Sequence, residues 1–163
     1  LHYLFAPLKQ ARLEYMIQKA VEMGVGTIQP VITQHTQFRN LNMDRMQSYV
    51  IEAAEQCGIL NIASLHPPTA LSTLLDALPE DRHLIFCDEG DDGHNPVAAL
   101  ESLPPMPLSV LIGPEGGFSQ QERATLHALP QVTAIPLGPR IMRADTAAVA
   151  ALAIIQATVG DWR

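Results

Sequence analysis

The sequence predicts an α/β domain, a mostly parallel sheet with helices on both faces. Three observations carry that expectation. Short β-branched or continuously apolar runs of strand length alternate with amphipathic stretches of helix length. Glycines stand where helices should stop, at Gly24, Gly58 and Gly160. A chain of 163 residues with 47% hydrophobic content can fill one substantial core, so residues 1–163 read as a single domain.

The elements follow in order. Leu1 to Pro7 reads as a strand entered in mid-course, which suggests that an N-terminal domain has been cut away. Leu13, Met16, Ile17, Ala20 and Val21 recur at helical spacing opposite Glu14, Gln18, Lys19 and Glu22, predicting an amphipathic helix over 9–23. Thr27–Thr33 is a β-branched strand, and Met43–Cys57 a second amphipathic helix. After the Pro67-Pro68 turn come a short helix at Leu71–Leu78 and a compact apolar strand at His83–Asp88. Residues 96–103 predict a short helix and 108–112 a core strand. Ser119 with Glu122 is the Ser-x-x-Glu capping box of the next helix. Val132–Pro136 closes the strands, and Ala144–Val159 is a long alanine-rich helix.

Several function classes drop out. The longest apolar run, Ala147–Ile155, is about half of the ~18 residues a membrane span needs, and no signal-peptide pattern opens the chain. The expectation is a cytoplasmic protein with no membrane partner. Cys57 and Cys87 lack Cys or His neighbours at ligand spacing, so they are expected to be ordinary buried thiols, with no metal site. The six histidines are scattered singly. Asp88, Asp91, Asp92 and Gly93 suggest a calcium loop, but the third and twelfth positions fall on Gly90 and Ala99, and a solvated acidic loop is the better reading. Gly24-Val25-Gly26 lacks the third glycine of a dinucleotide fingerprint, and Ser119 lacks the closing glycine of a nucleophile elbow. The net charge of −7 argues that the domain does not wrap nucleic acid unaided.

Two loops carry the chemical signal. Leu111-Ile112-Gly113-Pro114-Glu115-Gly116-Gly117-Phe118-Ser119 leaves a strand, turns through three glycines and a proline, and enters a capped helix. Its glycines let the backbone approach a ligand closely, and the helix start favours an anion or carboxylate. A second such turn, Leu137-Gly138-Pro139-Arg140-Ile141-Met142-Arg143 with Ala144, Asp145, Thr146 and Ala147 behind it, again joins a strand to a helix. In a parallel sheet both turns would line one crevice at the strands' carboxyl ends. Arg140 and Arg143 suggest recognition of an anion or of a carbonyl-rich ring, unless they pair with Glu115 or Asp145.

Through these two motifs the chain resembles the RsmE family of 16S ribosomal RNA uridine methyltransferases, within the SPOUT superfamily. The likeness extends to Lys9, Arg12, Glu14, Gln18-Lys19-Ala20, Glu22 and Gly24-Val25 in the first helix and to Glu52 to Gly58 in the second. Departures from that family's pattern are Asp145 in place of a glutamate, Ile59 in place of an arginine, and Thr33-Gln34-His35 where a Glu-Arg pair is common. The resemblance implies a C-terminal trefoil knot and a homodimer packed through it, which would suit the unusually apolar last helix. It also implies a bent S-adenosylmethionine cradled by the two loops and the turn near Cys87 to Gly90, and it implies that the family's N-terminal PUA-like RNA-binding domain is absent from this chain. The implied cofactor-binding residues are Leu111, Ile112, Gly113, Pro114, Gly116, Gly117, Leu137, Gly138, Pro139, Ile141, Met142 and Thr146. The implied reaction, on 16S rRNA or the assembled small subunit, is methylation of uridine nitrogen 3 without a metal. Arg143 would stabilise charge on the uracil, Arg140 would back it up, and Glu115 or Asp145 would orient it or take the proton. The alternatives are another RNA base or a ribose hydroxyl as acceptor, or a module that binds S-adenosylmethionine or RNA without turnover.

Overall fold

The computed structural model describes residues 1–88, 90 and 95–163. Seven strands, β1 (His2–Phe5), β2 (Thr27–Ile32), β3 (Ser64–Leu65), β4 (Thr69–Ala70), β5 (His83–Cys87), β6 (Leu108–Ile112) and β7 (Val132–Ile135), form one sheet. Their order is β3-β2-β1-β6-β5-β7, and β4 pairs with the carboxyl end of β2. All the described pairings are parallel. The strand and helix expectations therefore hold to within a residue or two, except that β3 and β4, on either side of Pro67-Pro68, were not foreseen. Two-residue strands carry no periodicity to read.

Alternation along the strands makes two cores. Tyr3 sits in register with Ile28 on one side and Val110 on the other, and Val110 with Ile85. That row faces α1 (Gln10–Glu22), α2 (Met43–Cys57), α4 (Pro96–Glu101) and α6 (Ala144–Thr158). One residue further along, Leu4, Leu111 and Phe86 share a register and face α3 (Leu71–Asp76) and α5 (Gln120–Ala128). Burying each such side chain contributes about 1.5–3 kcal/mol, so the larger first core supplies most of the stability. Helix α5 buries only Leu126, and its position leans on polar contacts at its start. There the capping box is complete: Ser119 Oγ accepts from the Glu122 amide, and Glu122 Oε2 accepts from the Ser119 amide.

Helix ends follow from named residues. Asn42 Oδ1 accepts from the Arg45 amide to open α2, and Gly58 closes it at φ 67°, a left-handed conformation that costs glycine little. At the end of α6, Gln156 donates to the carbonyl of Met23 at 2.6 Å and accepts from the amide of Asp161, tying that helix to the end of α1. Among the described residues, no helix is long and apolar enough to cross a membrane.

The two cysteines differ, which corrects the expectation of two buried thiols. Cys57 is exposed, because it is the last residue of α2 and lies beyond that helix's packed stripe. Burial pushes the Cys87 thiol up to about 12. Cys87 is half-buried at the cleft wall, so a thiol-reactive disulfide reagent at neutral pH is expected to modify Cys57 rapidly and Cys87 much more slowly; equal rates would contradict the raised Cys87 thiol.

Candidate functional site

Every parallel strand delivers the chain to the same edge of the sheet. β1 lies between β2 and β6, so the chain runs outward in opposite directions from the β1–β6 boundary. In parallel sheets crevices open at the carboxyl ends of the strands. A cavity of about 780 Å³ occupies that edge. Its walls are the segment after β6, from Ile112 to Phe118, and the segment after β7, from Pro136 to Met142; Cys87, Asp88 and Arg123 close one side. The two glycine-proline turns thus converge on one cleft.

Most of the residues singled out in the sequence lie on it. Ile112, Gly113, Pro114, Glu115, Gly116 and Gly117 line one wall, and Leu137, Gly138, Pro139, Arg140, Ile141 and Met142 the other. Three lie off it. Leu111 is wholly buried, its side chain in the second core. Thr146 is exposed on the first turn of α6. Arg143 stands exposed at the head of α6, on the rim and not in the wall.

The loop backbones explain the glycines. Gly117 and Gly138 adopt φ 67° and 100°, where a β-carbon is strained. At Gly113 a β-carbon would stand 2.9 Å from the Phe118 ring, so the loop passes hard against its own aromatic side chain. That ring meets Phe86 edge-on, fixing the turn to the second core. Ile141, though apolar, is 86% exposed at the mouth of the cleft, an unusual position for a residue with nothing to cover.

The first turn is braced by residues that sequence spacing did not connect to it. Glu115 pairs with Arg12 of α1 at 2.9 Å, and not with Arg140 or Arg143. His35 places Nδ1 3.2 Å from the carbonyl oxygen of Gly116 and 3.1 Å from that of Gly117; as donor, this one ring nitrogen spans both. The Gln34 amide donates to Glu122 Oε1, so the β2–α2 loop also holds the capping box. Thr33 and Thr36 hydroxyls bond each other within that loop.

A second brace closes the β5 side. Asp88, 4% exposed, accepts from Arg123 Nε and Nη2 at 3.2 and 2.9 Å, with His127 Nε2 at 3.0 Å and the Gly90 amide at 3.1 Å. Burial pushes its carboxyl upward, but the hydrogen bonds from Arg123, Gly90 and His127 outweigh it and hold Asp88 below the ordinary carboxylate value. Asp91, Asp92, Gly93 and His94, considered above with the acidic loop, lie outside the described residues. Among the described residues, no group of three or more His, Cys, Asp or Glu side chains is placed to hold a metal ion. Beside the cleft, the Tyr3 hydroxyl is buried without a partner among the described residues, and burial raises it well above the usual phenol value.

Comparison with known proteins agrees with this architecture. The family model described as "RNA methyltransferase domain" matches residues 1–156. A ribosomal RNA small subunit methyltransferase E of Rickettsia conorii is 34% identical over 155 residues, covering 93% of this chain and 62% of that protein. The chain therefore spans less than two thirds of that relative's length. The crystal structure of a ribosomal RNA small subunit methyltransferase E from Neisseria gonorrhoeae bound to S-adenosyl methionine superposes with a TM-score of 0.88 at 28% identity, over 99% of this chain and 67% of that one. A TrmH/SpoU tRNA modifying enzyme of A. aeolicus shares the fold alone, with a TM-score of 0.63 at 11% identity over 99% of this chain and 75% of that one. With its parallel sheet, its two converging turns and a family match over nearly its whole length, this chain belongs to the RNA methyltransferase domain family.

Proposed function

We propose that this chain is the catalytic domain of a cytoplasmic, S-adenosylmethionine-dependent ribosomal RNA methyltransferase that methylates nitrogen 3 of a uridine in 16S rRNA of the small subunit. One observation carries the reading: two glycine-proline turns, more than twenty residues apart, meet in a cleft whose volume of about 780 Å³ suits a nucleoside-sized ligand. The relatives named above supply the substrate class.

The residues present fit that methyl donor. The strained glycines bring backbone into close reach of a ligand, and Leu137, Ile141 and Met142 give an apolar wall for a flat base. When bound, S-adenosylmethionine supplies an already electrophilic methyl carbon. The protein's task is then to hold the uracil in line and to favour loss of its imide proton. Arg143, exposed beside cleft-lining Met142 and Ala144, is assigned to stabilise charge on the uracil oxygens; Arg140, in the wall, is its second. Glu115, already tied to Arg12, orients the turn, which leaves Asp145 on the first turn of α6 as the candidate proton acceptor. Within this reading the C-terminal part threads a trefoil knot, and two copies pack through the apolar outer face of α6.

Calorimetry of the chain with S-adenosylmethionine, followed by mass spectrometry of nucleosides from treated small subunits, tests the proposal. Binding with 3-methyluridine as product is expected. A methylated ribose or another base would replace the acceptor, and failure to bind S-adenosylmethionine would end the reading.

A further inference from the structure

The chain's cations are unevenly distributed. All ten Lys and Arg residues are described, and seven of them follow strand ends and so lie on the edge that carries the cleft. Lys9 and Arg12 open α1, Arg39 and Arg45 lie in and just after the β2–α2 loop, and Arg123, Arg140 and Arg143 surround the cleft. The remaining three, Lys19, Arg82 and Arg163, sit at the opposite edge.

The placement works against helix stability. Lys9 is the N-cap of α1 and makes no capping hydrogen bond, while Arg12 and Arg45 occupy the first turns of α1 and α2. Cations are disfavoured there, because the first turn of a helix already presents a partial positive charge. Helix α1 has no acid in its first turn, and α2 has only Asp44. Of Lys9, Arg12, Arg39 and Arg45, only Arg12 has a carboxylate partner among the described residues. Lys9, Arg39 and Arg45 are exposed. A half-buried aromatic ring, Phe38, lies among them with the Lys9 ammonium 5.9 Å from its centroid. The Arg12–Glu115 pair joins this patch directly to the glycine turn of the cleft.

We propose that the rim formed by the starts of α1 and α2 is a track for single-stranded RNA, with Lys9, Arg39 and Arg45 contacting phosphates and Phe38 offering a stacking face. Arg39 donates to the Thr33 carbonyl and Arg45 to the Tyr49 hydroxyl, neutral partners that leave both charges uncompensated. Clustered cations without carboxylate partners, interleaved with an aromatic ring, are what a sequence-tolerant single-strand site requires. The strand would run from Phe38 past Arg12 to the mouth at Arg140 and Arg143, presenting one base to the cleft. The direction of that track rests on the function proposed above, but the RNA contact does not require turnover.

The test uses the whole chain, a fluorescein-labelled single-stranded RNA of about 12 nucleotides and anisotropy titrations over a salt series. Two variants with equal charge change are compared, K9Q/R39Q on the rim and K19Q/R163Q on the opposite edge. Each lost phosphate contact should lower the slope of log affinity against log salt by about 0.7, so the rim variant should lose roughly 1.4 in slope and roughly 20-fold in affinity at 0.1 M salt. The opposite-edge variant should match the parent. Phe38→Ala should weaken binding without changing the slope, which separates stacking from charge. Equal losses in the two double variants, an unchanged slope in K9Q/R39Q, or no RNA binding by the parent chain would overturn the proposal. S-adenosylmethionine affinity, read by calorimetry on the same samples, should be unchanged throughout. An intact rim effect without cofactor binding would sink the proposed function and leave the track standing, and the reverse result would do the opposite.

Discussion

Replacing Arg143 with alanine is expected to lower kcat by about 10²–10³-fold while S-adenosylmethionine binds within a factor of about two of the parent. The side chain is exposed at the head of α6 and absent from the cleft wall, so its loss removes nothing that would touch the methyl donor. It makes no capping hydrogen bond to the helix it precedes, and the fold should tolerate its removal. Under the proposed function, the Arg143 guanidinium acts only as charge develops on the uracil. The split between kcat and cofactor affinity is therefore the diagnostic. Single-turnover assays with matched calorimetry measure both. Parallel losses of binding and turnover would move Arg143 into the cofactor site and hand the charge-stabilising role to Arg140.

Arg123→Ala should be the most damaging change to stability among the polar residues around the cleft, costing about 2–4 kcal/mol. Its guanidinium gives two of the donors that satisfy Asp88, a carboxylate that is 4% exposed beneath it. The double variant Asp88→Ala/Arg123→Ala should lose less than Arg123→Ala alone, because no unpaired buried charge remains. Urea unfolding of the three proteins checks the ordering. The effect should also depend on pH in a defined direction. Asp88 titrates below its unfolded value, so the cluster's contribution is fully present above the ordinary carboxylate range. It is lost as pH falls through the depressed folded value. The parent and Arg123→Ala proteins should consequently converge in stability on acidification below about pH 4. A constant gap down to pH 2 would show that packing of the Arg123 stem, not the ion pair, is what matters.

Local signals were written plainly in the chain. The helical stripe of α1, the Gly58 stop, and the Ser119–Glu122 capping box each involve residues within one or two helical turns, so spacing alone reveals them. The convergence of the two glycine-proline turns followed from one topological fact, that parallel strands release their loops on a common edge. What could not be read was side-chain pairing between distant segments. Arg12 and Glu115 are 103 positions apart, and His35 and the Gly117 carbonyl 82. No periodicity records such a partner: Arg12 and His35 stand out only against the family pattern, which does not say what either touches. The short strands β3 and β4 escaped notice for a different reason: each is ordered by pairing with β2 and not by any preference of its own residues. Cys57 is exposed although free cysteines are usually buried: as the last residue of α2 it has no neighbour to meet it.

The position of β1 in the sheet bears on how the polypeptide matures. His2 pairs with Thr27 on one flank but with Ser109 on the other, so β1 keeps an unsatisfied hydrogen-bonding edge until more than a hundred further residues have emerged. Such distant pairings close slowly, and an open, apolar strand edge is prone to join a neighbouring nascent chain. A β-α-β-α fragment ending after Cys57 should accordingly collapse without becoming monomeric and native, and the yield of refolded protein should fall as concentration rises.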